Sequence, residues 1–186
     1  SDEIYHGLVY SGEARTMLEF TGNAITVNGF SKLYAMTGWR LGYVIVPGPL
    51  VRPVQKLQQN LFISPSPISQ RAGVAALRKG KGDAGRMVKE FGERRKRMIE
   101  GLKRLGLTTE VEPTGAFYVF ANVSKLSNDS LALAFDILEK AHVAVTPGAD
   151  FGEGGEGYLR FSYAAAPDKI DEGLRRLEAY MEINAK

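Results

Sequence analysis

Apolar and polar positions follow two different styles along the chain. Residues 24–29 and 41–46 are short β-rich runs bounded by Gly29, Arg40 and Pro47-Gly48, and both predict buried strands. Residues 31–38, between them, predict a loop or short helical turn, the strand-end position where α/β proteins place reactive side chains. Helical spacing predicts a helix over 50–60. Pro65 and Pro67 then break the chain, a second helix covers 68–78, and Gly80-Lys81-Gly82 forms a loop. From 83 to 105, Met87, Phe91, Met98, Leu102 and Leu105 make a narrow apolar stripe on a polar background, so one long helix is expected, closed by Gly106.

Past Gly106 the period changes. Strands are expected over 109–111 and 116–121, around the turn Pro113-Thr114-Gly115, and again over 143–146 and 158–163. A helix over 130–142 has Ser130 as its cap, and a last helix over 168–183 carries Ile170, Leu174, Leu177 and Tyr180 on one side. The fold class is therefore α/β with two lobes, 1–82 and 83–186, the second an α+β lobe with its own core. There is no internal repeat.

Composition narrows the function classes. With 186 residues, 44% apolar and 24% charged, the chain has the make-up of a soluble globular protein. A net charge of +3 is too small an excess to call for nucleic acid, and the cluster Arg94, Arg95, Lys96, Arg97 reads as an ordinary solvated helix face. No cysteine is present, which excludes disulfides, thiolate metal sites and a cysteine nucleophile. The two histidines, His6 and His142, predict no metal site. No apolar run approaches the roughly 20 residues that span a bilayer, no membrane partner is expected, and a cytoplasmic location is. Residues 2–10 already read as the middle of a folded element, so the chain is expected to be a piece of a longer one.

Candidate chemistry concentrates at Lys32. A lone lysine is usually a snorkelling surface residue, but one at the end of a buried strand loses hydration it cannot recover and tends to have a task. Lysine also lowers its pKa readily on burial, which makes it the natural amine for a Schiff base with an aldehyde. Arg40 follows after Gly38 and Trp39, where a forked guanidinium can grip a phosphate. The run Ser31-Lys32, Tyr34-Ala35, Thr37-Gly38-Trp39-Arg40, Gly42-Tyr43 resembles the cofactor-lysine signature of the fold type I, class I and II aminotransferases.

That resemblance implies several roles. The lysine at Lys32's place holds pyridoxal 5′-phosphate (PLP) covalently, the arginine at Arg40's place binds its phosphate, and the serine at Ser31's place assists. Ser1-Asp2-Glu3-Ile4-Tyr5 is similar to the segment whose aspartate pairs with the pyridine nitrogen, here Asp2, and whose tyrosine bonds the phenolic oxygen, here Tyr5. The stretch from Gly157 to Ala164 resembles the small-lobe strand whose arginine clamps the substrate α-carboxylate, here Arg160; alternation sets Arg160 on the face opposite Leu159 and Phe161. Residues 145–152 and 113–118 add supporting likeness, and Gly29 replaces a phosphate-binding serine of some relatives.

The resemblance covers only the family's second half: the remnant of the large PLP-binding domain over 1–82 and the small domain over 83–186. It implies transamination between an amino acid and a 2-oxo acid in a homodimer, aspartate aminotransferase-like. Two alternatives share these residues: another fold type I PLP enzyme, such as a Cβ lyase, and a non-catalytic fragment that folds and self-associates.

Overall fold

Glycine and proline positions explain much of how the elements meet. The structure, a computed structural model, describes residues 1–184 and divides into two compact units, Ser1–Lys89 and Glu90–Lys186. In the first unit β1 (Thr26–Gly29) pairs antiparallel with β2 (Gly42–Ile45), with Gly29 opposite Gly42. A Cβ on Gly29 would stand 3.2 Å from the Gly42 Cα and 3.1 Å from the Leu41 carbonyl oxygen, so the strands cross closely there. On the other side of β1, Asp2 forms a parallel bridge to Val27, with the Glu3 N–H donating to the Val27 carbonyl at 2.8 Å.

β2 corrects the expectation of a buried strand. Tyr43, Val44 and Ile45 are 43–47% exposed, and among the described residues β2 pairs only with β1. Its apolar composition shows what it is suited to bury, and the cover is a separate matter.

Three helices follow. α1 (Gly48–Leu61) contains Pro53 and buries none of its residues. α2 (Pro67–Lys79) begins at Pro67, which opens the helix where its missing N–H is harmless instead of breaking the chain. Gly73 lets α2 approach the strand end, since a Cβ there would come 2.5 Å from Leu41 Cδ2 and 3.3 Å from Phe30 Cζ. The loop expected at 80–82 is absent: Gly80 keeps right-handed helical angles and α3 (Lys81–Arg104) starts at once, running through the division at Lys89–Glu90.

The second unit has a three-stranded antiparallel sheet of β3 (Tyr118–Asn122), β4 (Thr146–Pro147) and β5 (Tyr158–Ser162), in the order β3-β5-β4. One face of it, Val119, Ala121, Leu159 and Phe161, is at most 4% exposed. α4 (Ser130–Ala141) and α5 (Pro167–Asn184) supply Leu133, Ile137, Ile170, Leu174 and Leu177 to the core, and the α5 stripe falls where the periodicity put it. Gly101 brings α3 close to α5, as a Cβ there would meet Leu174 Cδ1 at 2.3 Å.

Four expectations fail locally. Residues 109–111 form no strand: a single bridge joins Thr108 to Asn122, and Val111 is 80% exposed just ahead of Pro113. The strand expected over 143–146 shortens to β4. The α4 cap is Asp129, whose carboxylate accepts from the Ala132 N–H at 2.8 Å, rather than Ser130. Arg95 is buried instead of solvated, its guanidinium bound to Glu112 and the Pro113 carbonyl. No described helix is long and apolar enough to cross a membrane.

Candidate active site

The β1–β2 ladder places four of the expected residues at one end. The Phe30 N–H donates to the Leu41 carbonyl at 3.2 Å, the last rung, so Ser31-Lys32 leaves and Arg40 arrives side by side. Asp2 bridges in parallel to Val27, and the turn of residues 4–7 that follows leaves Tyr5 near Lys32. Lys32 Nζ stands 5.7 Å from the Tyr5 ring centroid, within cation–π range. Ser31, Lys32 and Tyr5 are half-buried; Asp2 and Arg40 are exposed. Arg40 takes a left-handed backbone (φ 50°) and its Nη1 donates to the Thr37 carbonyl at 3.0 Å.

The lysine turn is held from both sides. Leu33 fits over Gly7 (φ +90°), where a Cβ would come 2.7 Å from Leu33 Cδ2. Tyr34 lies against Gly80, where a Cβ would come 3.1 Å from the ring, and its ring sits 5.7 Å from that of Phe30. Met36 is buried and its N–H returns to the Phe30 carbonyl at 3.3 Å. Lys32 therefore projects from a packed turn while its neighbours anchor the backbone.

Glu3 was not apparent in the sequence as part of this arrangement. It is 5% exposed, between Asp2 and Tyr5, and accepts from the Thr16 hydroxyl and the Met17 N–H, both at 2.9 Å. His6 Nδ1 lies 3.3 Å from its other oxygen, so His6 has a carboxylate partner that spacing alone did not suggest. Burial raises the Glu3 carboxyl pKa, but the hydrogen bonds from Met17 and Thr16 outweigh it and hold the group below its ordinary value. Among the described residues no group of three or more His, Cys, Asp or Glu is placed to hold a metal.

In the second unit Arg160 stands where alternation put it, opposite the buried Leu159 and Phe161. Register sets it beside Phe120 on β3 and Thr146 on β4. Its Nη2 donates to the Thr146 hydroxyl at 3.3 Å, and its Cζ lies 4.3 Å from the Tyr118 ring centroid and 4.8 Å from that of Phe151. Two rings thus lie within cation–π range of the guanidinium, whose remaining N–H donors suit a carboxylate. The period of β3 implies Tyr118 and Phe120. Phe151 arrives from a loop with no local signal.

Comparison with known proteins gives one answer throughout. A family model described as Aminotransferase class I and II matches residues 1–177. A (5-formylfuran-3-yl)methyl phosphate transaminase of Methanocaldococcus jannaschii is 44% identical, over 97% of this chain and 49% of its own length. An aspartate aminotransferase of Pyrococcus horikoshii is 40% identical, over 98% and 48%. The solved structure of an aromatic aminotransferase from Pyrococcus horikoshii superposes with a TM-score of 0.93 at 37% identity, over 99% of this chain and 50% of its own. The chain spans about half the length of the relatives it matches, and its mixed α/β architecture is that of their corresponding half. The chain belongs to the class I and II aminotransferases.

Proposed function

We propose that the protein to which this chain belongs carries out PLP-dependent transamination between an amino acid and a 2-oxo acid, with Lys32 as the catalytic residue. The observation that carries this reading is the gathering of Tyr5, Ser31, Lys32 and Arg40 at one end of the β1–β2 ladder, with Asp2 bridged to Val27 of the same strand. The donor set fits the cofactor group by group: a primary amine for the aldehyde, a phenol for the ring oxygen, a carboxylate for the pyridine nitrogen, a guanidinium and a hydroxyl for the phosphate.

When bound, PLP supplies an electron sink for the substrate Cα. The remaining steps belong to side chains. Arg160 grips the substrate α-carboxylate and so fixes which Cα bond is presented for cleavage. Lys32 Nζ would hold the cofactor covalently and, as a free amine, would accept the proton from the substrate Cα and return it to the other carbon bonded to the substrate nitrogen. Asp2 would keep a proton on the pyridine nitrogen, Tyr5 would donate to the phenolic oxygen, and Ser31 and Arg40 would hold the phosphate. In this reading residues 1–82 belong to a large cofactor-binding domain and 83–186 to a small one, in a homodimer. The half-exposed Val44 and Ile45 support a covered interface there.

The relatives' names span a furan phosphate, aspartate and aromatic amino acids, so the side-chain preference is left open. Turnover of aspartate or alanine with 2-oxoglutarate, followed by product chromatography, tests the class. Transamination should appear and fall by about 10²–10⁴-fold or more in Lys32→Ala. Release of ammonia and a 2-oxo acid without an amino acceptor would instead make it a lyase. The exposed α1 face favours a second reading for the isolated chain, namely self-association without turnover. Sedimentation velocity run alongside the assay separates the two.

A further inference from the structure

The loop that brings Phe151 to Arg160 is fastened at the start of α4. Ser130, the first residue of α4, is fully buried, yet the helix cap is its neighbour Asp129. Its hydroxyl has a different use: it donates to Glu156 Oε2 at 3.2 Å and accepts from the Ala149 N–H at 3.1 Å. Glu156 Oε1 accepts from the Ser130 N–H at 2.6 Å and the Gly157 N–H at 3.0 Å. The Glu156 carboxylate and the Ser130 hydroxyl together therefore tie the start of α4 to both ends of the 148–157 loop.

Between those ends the loop is locked on itself. Gly148 and Gly155 cross so closely that a Cβ on Gly148 would lie 1.8 Å from the Gly155 carbonyl oxygen, and one on Gly155 2.1 Å from that of Gly148. Gly152 and Gly157 take φ of +99° and +81° to complete the path. Phe151 is the side chain this loop delivers, 4.8 Å from the Arg160 Cζ and edge-on to Phe120 at 5.6 Å.

We infer that Glu156 and Ser130 are positioning residues that act through Phe151 to hold the Arg160 guanidinium plane for a carboxylate ligand; the carboxylate part rests on the function proposed above. Without the latch the loop swings, one of the two flanking rings leaves, and the arginine loses its fixed plane while keeping its charge. The Asp129 cap and the Val119–Leu159 face of the sheet stand apart from this fastening. That separates a positioning defect from general unfolding.

Side-chain NMR of the chain reads this directly, because flanking rings displace the Arg160 side-chain resonances, which are assigned by their loss in Arg160→Lys. In Glu156→Gln, where an amide NH₂ stands in place of the oxygen that accepts from the Ser130 hydroxyl, the displacement should shrink as it does in Phe151→Leu. The methyl signals of Val119 and Leu159 should stay in place. Phe151→Tyr, which keeps the ring, should keep the displacement. Titration with pyruvate should show affinity at Arg160 falling about five-fold or more in Glu156→Gln and Phe151→Leu, and staying within roughly two-fold in Phe151→Tyr.

An Arg160 displacement unchanged in Glu156→Gln with the methyl signals intact overturns the latch. If Glu156→Gln fails to fold, the partly exposed Phe151 pair decides: equal pyruvate affinity in Phe151→Leu and Phe151→Tyr overturns the inference. Pyruvate that perturbs Arg160 in no variant, including the parent, removes the carboxylate role from the proposed function. The latch then stands or falls on the ring displacement.

Discussion

In the unit Glu90–Lys186, Val119, Leu159 and Tyr163 are wholly shielded, and Leu174 packs on Gly101 at the distance only a glycine allows. In the unit Ser1–Lys89, Val44 and Ile45 stand close to half exposed, Leu57 and Leu61 exceed 60%, and complete burial of a large apolar side chain is found at Leu8. Lys32 sits in the less closed of the two. What holds its turn is local: Leu33 over Gly7, Tyr34 against Gly80, and the hydrogen bonds that Glu3 collects. A site can thus be ordered in its immediate neighbourhood while the unit around it still presents apolar surface for cover, whereas the arginine face rests on a completed core.

The largest effect that can break this contrast is in hydrogen exchange. The Leu159 and Val119 amides should exchange at least about 10³ times more slowly than those of Val44 and Ile45 in the isolated chain, since core strands open only with their whole unit. Equal rates would mean that the first unit is as closed as the second. Next in size, Leu159→Ala should cost about 2–5 kcal/mol by urea unfolding, against less than about 0.5 kcal/mol for Leu61→Ala. Gly7→Ala meets both the positive φ and Leu33, and should cost about 1–3 kcal/mol. Its Lys32 amide resonance should shift as well, and an unmoved resonance would detach the turn from Gly7.

The smallest effect concerns pH. Burial, with a hydrogen bond to the Asp136 carboxylate, pushes Tyr180 up to about 12. The folded state therefore favours the neutral phenol. Its contribution to stability is complete below the unfolded tyrosine value near 10 and is lost as pH rises from there toward 12. An ultraviolet titration of Tyr180→Phe against the parent should lose one late-ionising phenol. A phenol titrating near 10 in the parent would place Tyr180 outside that environment.

Much of the site was legible because it is local. The Lys32–Arg40 run and the Asp2–Tyr5 segment are contiguous, and period-2 alternation alone sets Arg160 on the face opposite the buried Leu159 and Phe161. The α5 stripe was equally plain. The failures have physical causes of another range. β2 was expected to be buried because its residues are apolar, but composition does not state what covers a strand. Asp129 and Ser130 are both competent caps, and tertiary bonds from Glu156 and Ala149 claimed the serine. Arg95 looked like one of four solvated cations until the 112–113 segment folded over it. Phe151 reaches Arg160 through the crossing of Gly148 and Gly155, a contact no short window of sequence encodes.

The central claim is that Lys32, among all the lysines of the chain, is the amine that takes PLP. Mixing the chain with PLP, reducing with borohydride and mapping the modified peptide by mass measures that directly. The account predicts one dominant pyridoxyl-lysine at Lys32, lost in Lys32→Ala and weakened in Tyr5→Phe and Arg40→Ala. Modification spread evenly over exposed lysines, or unaffected by removing Lys32, would contradict it.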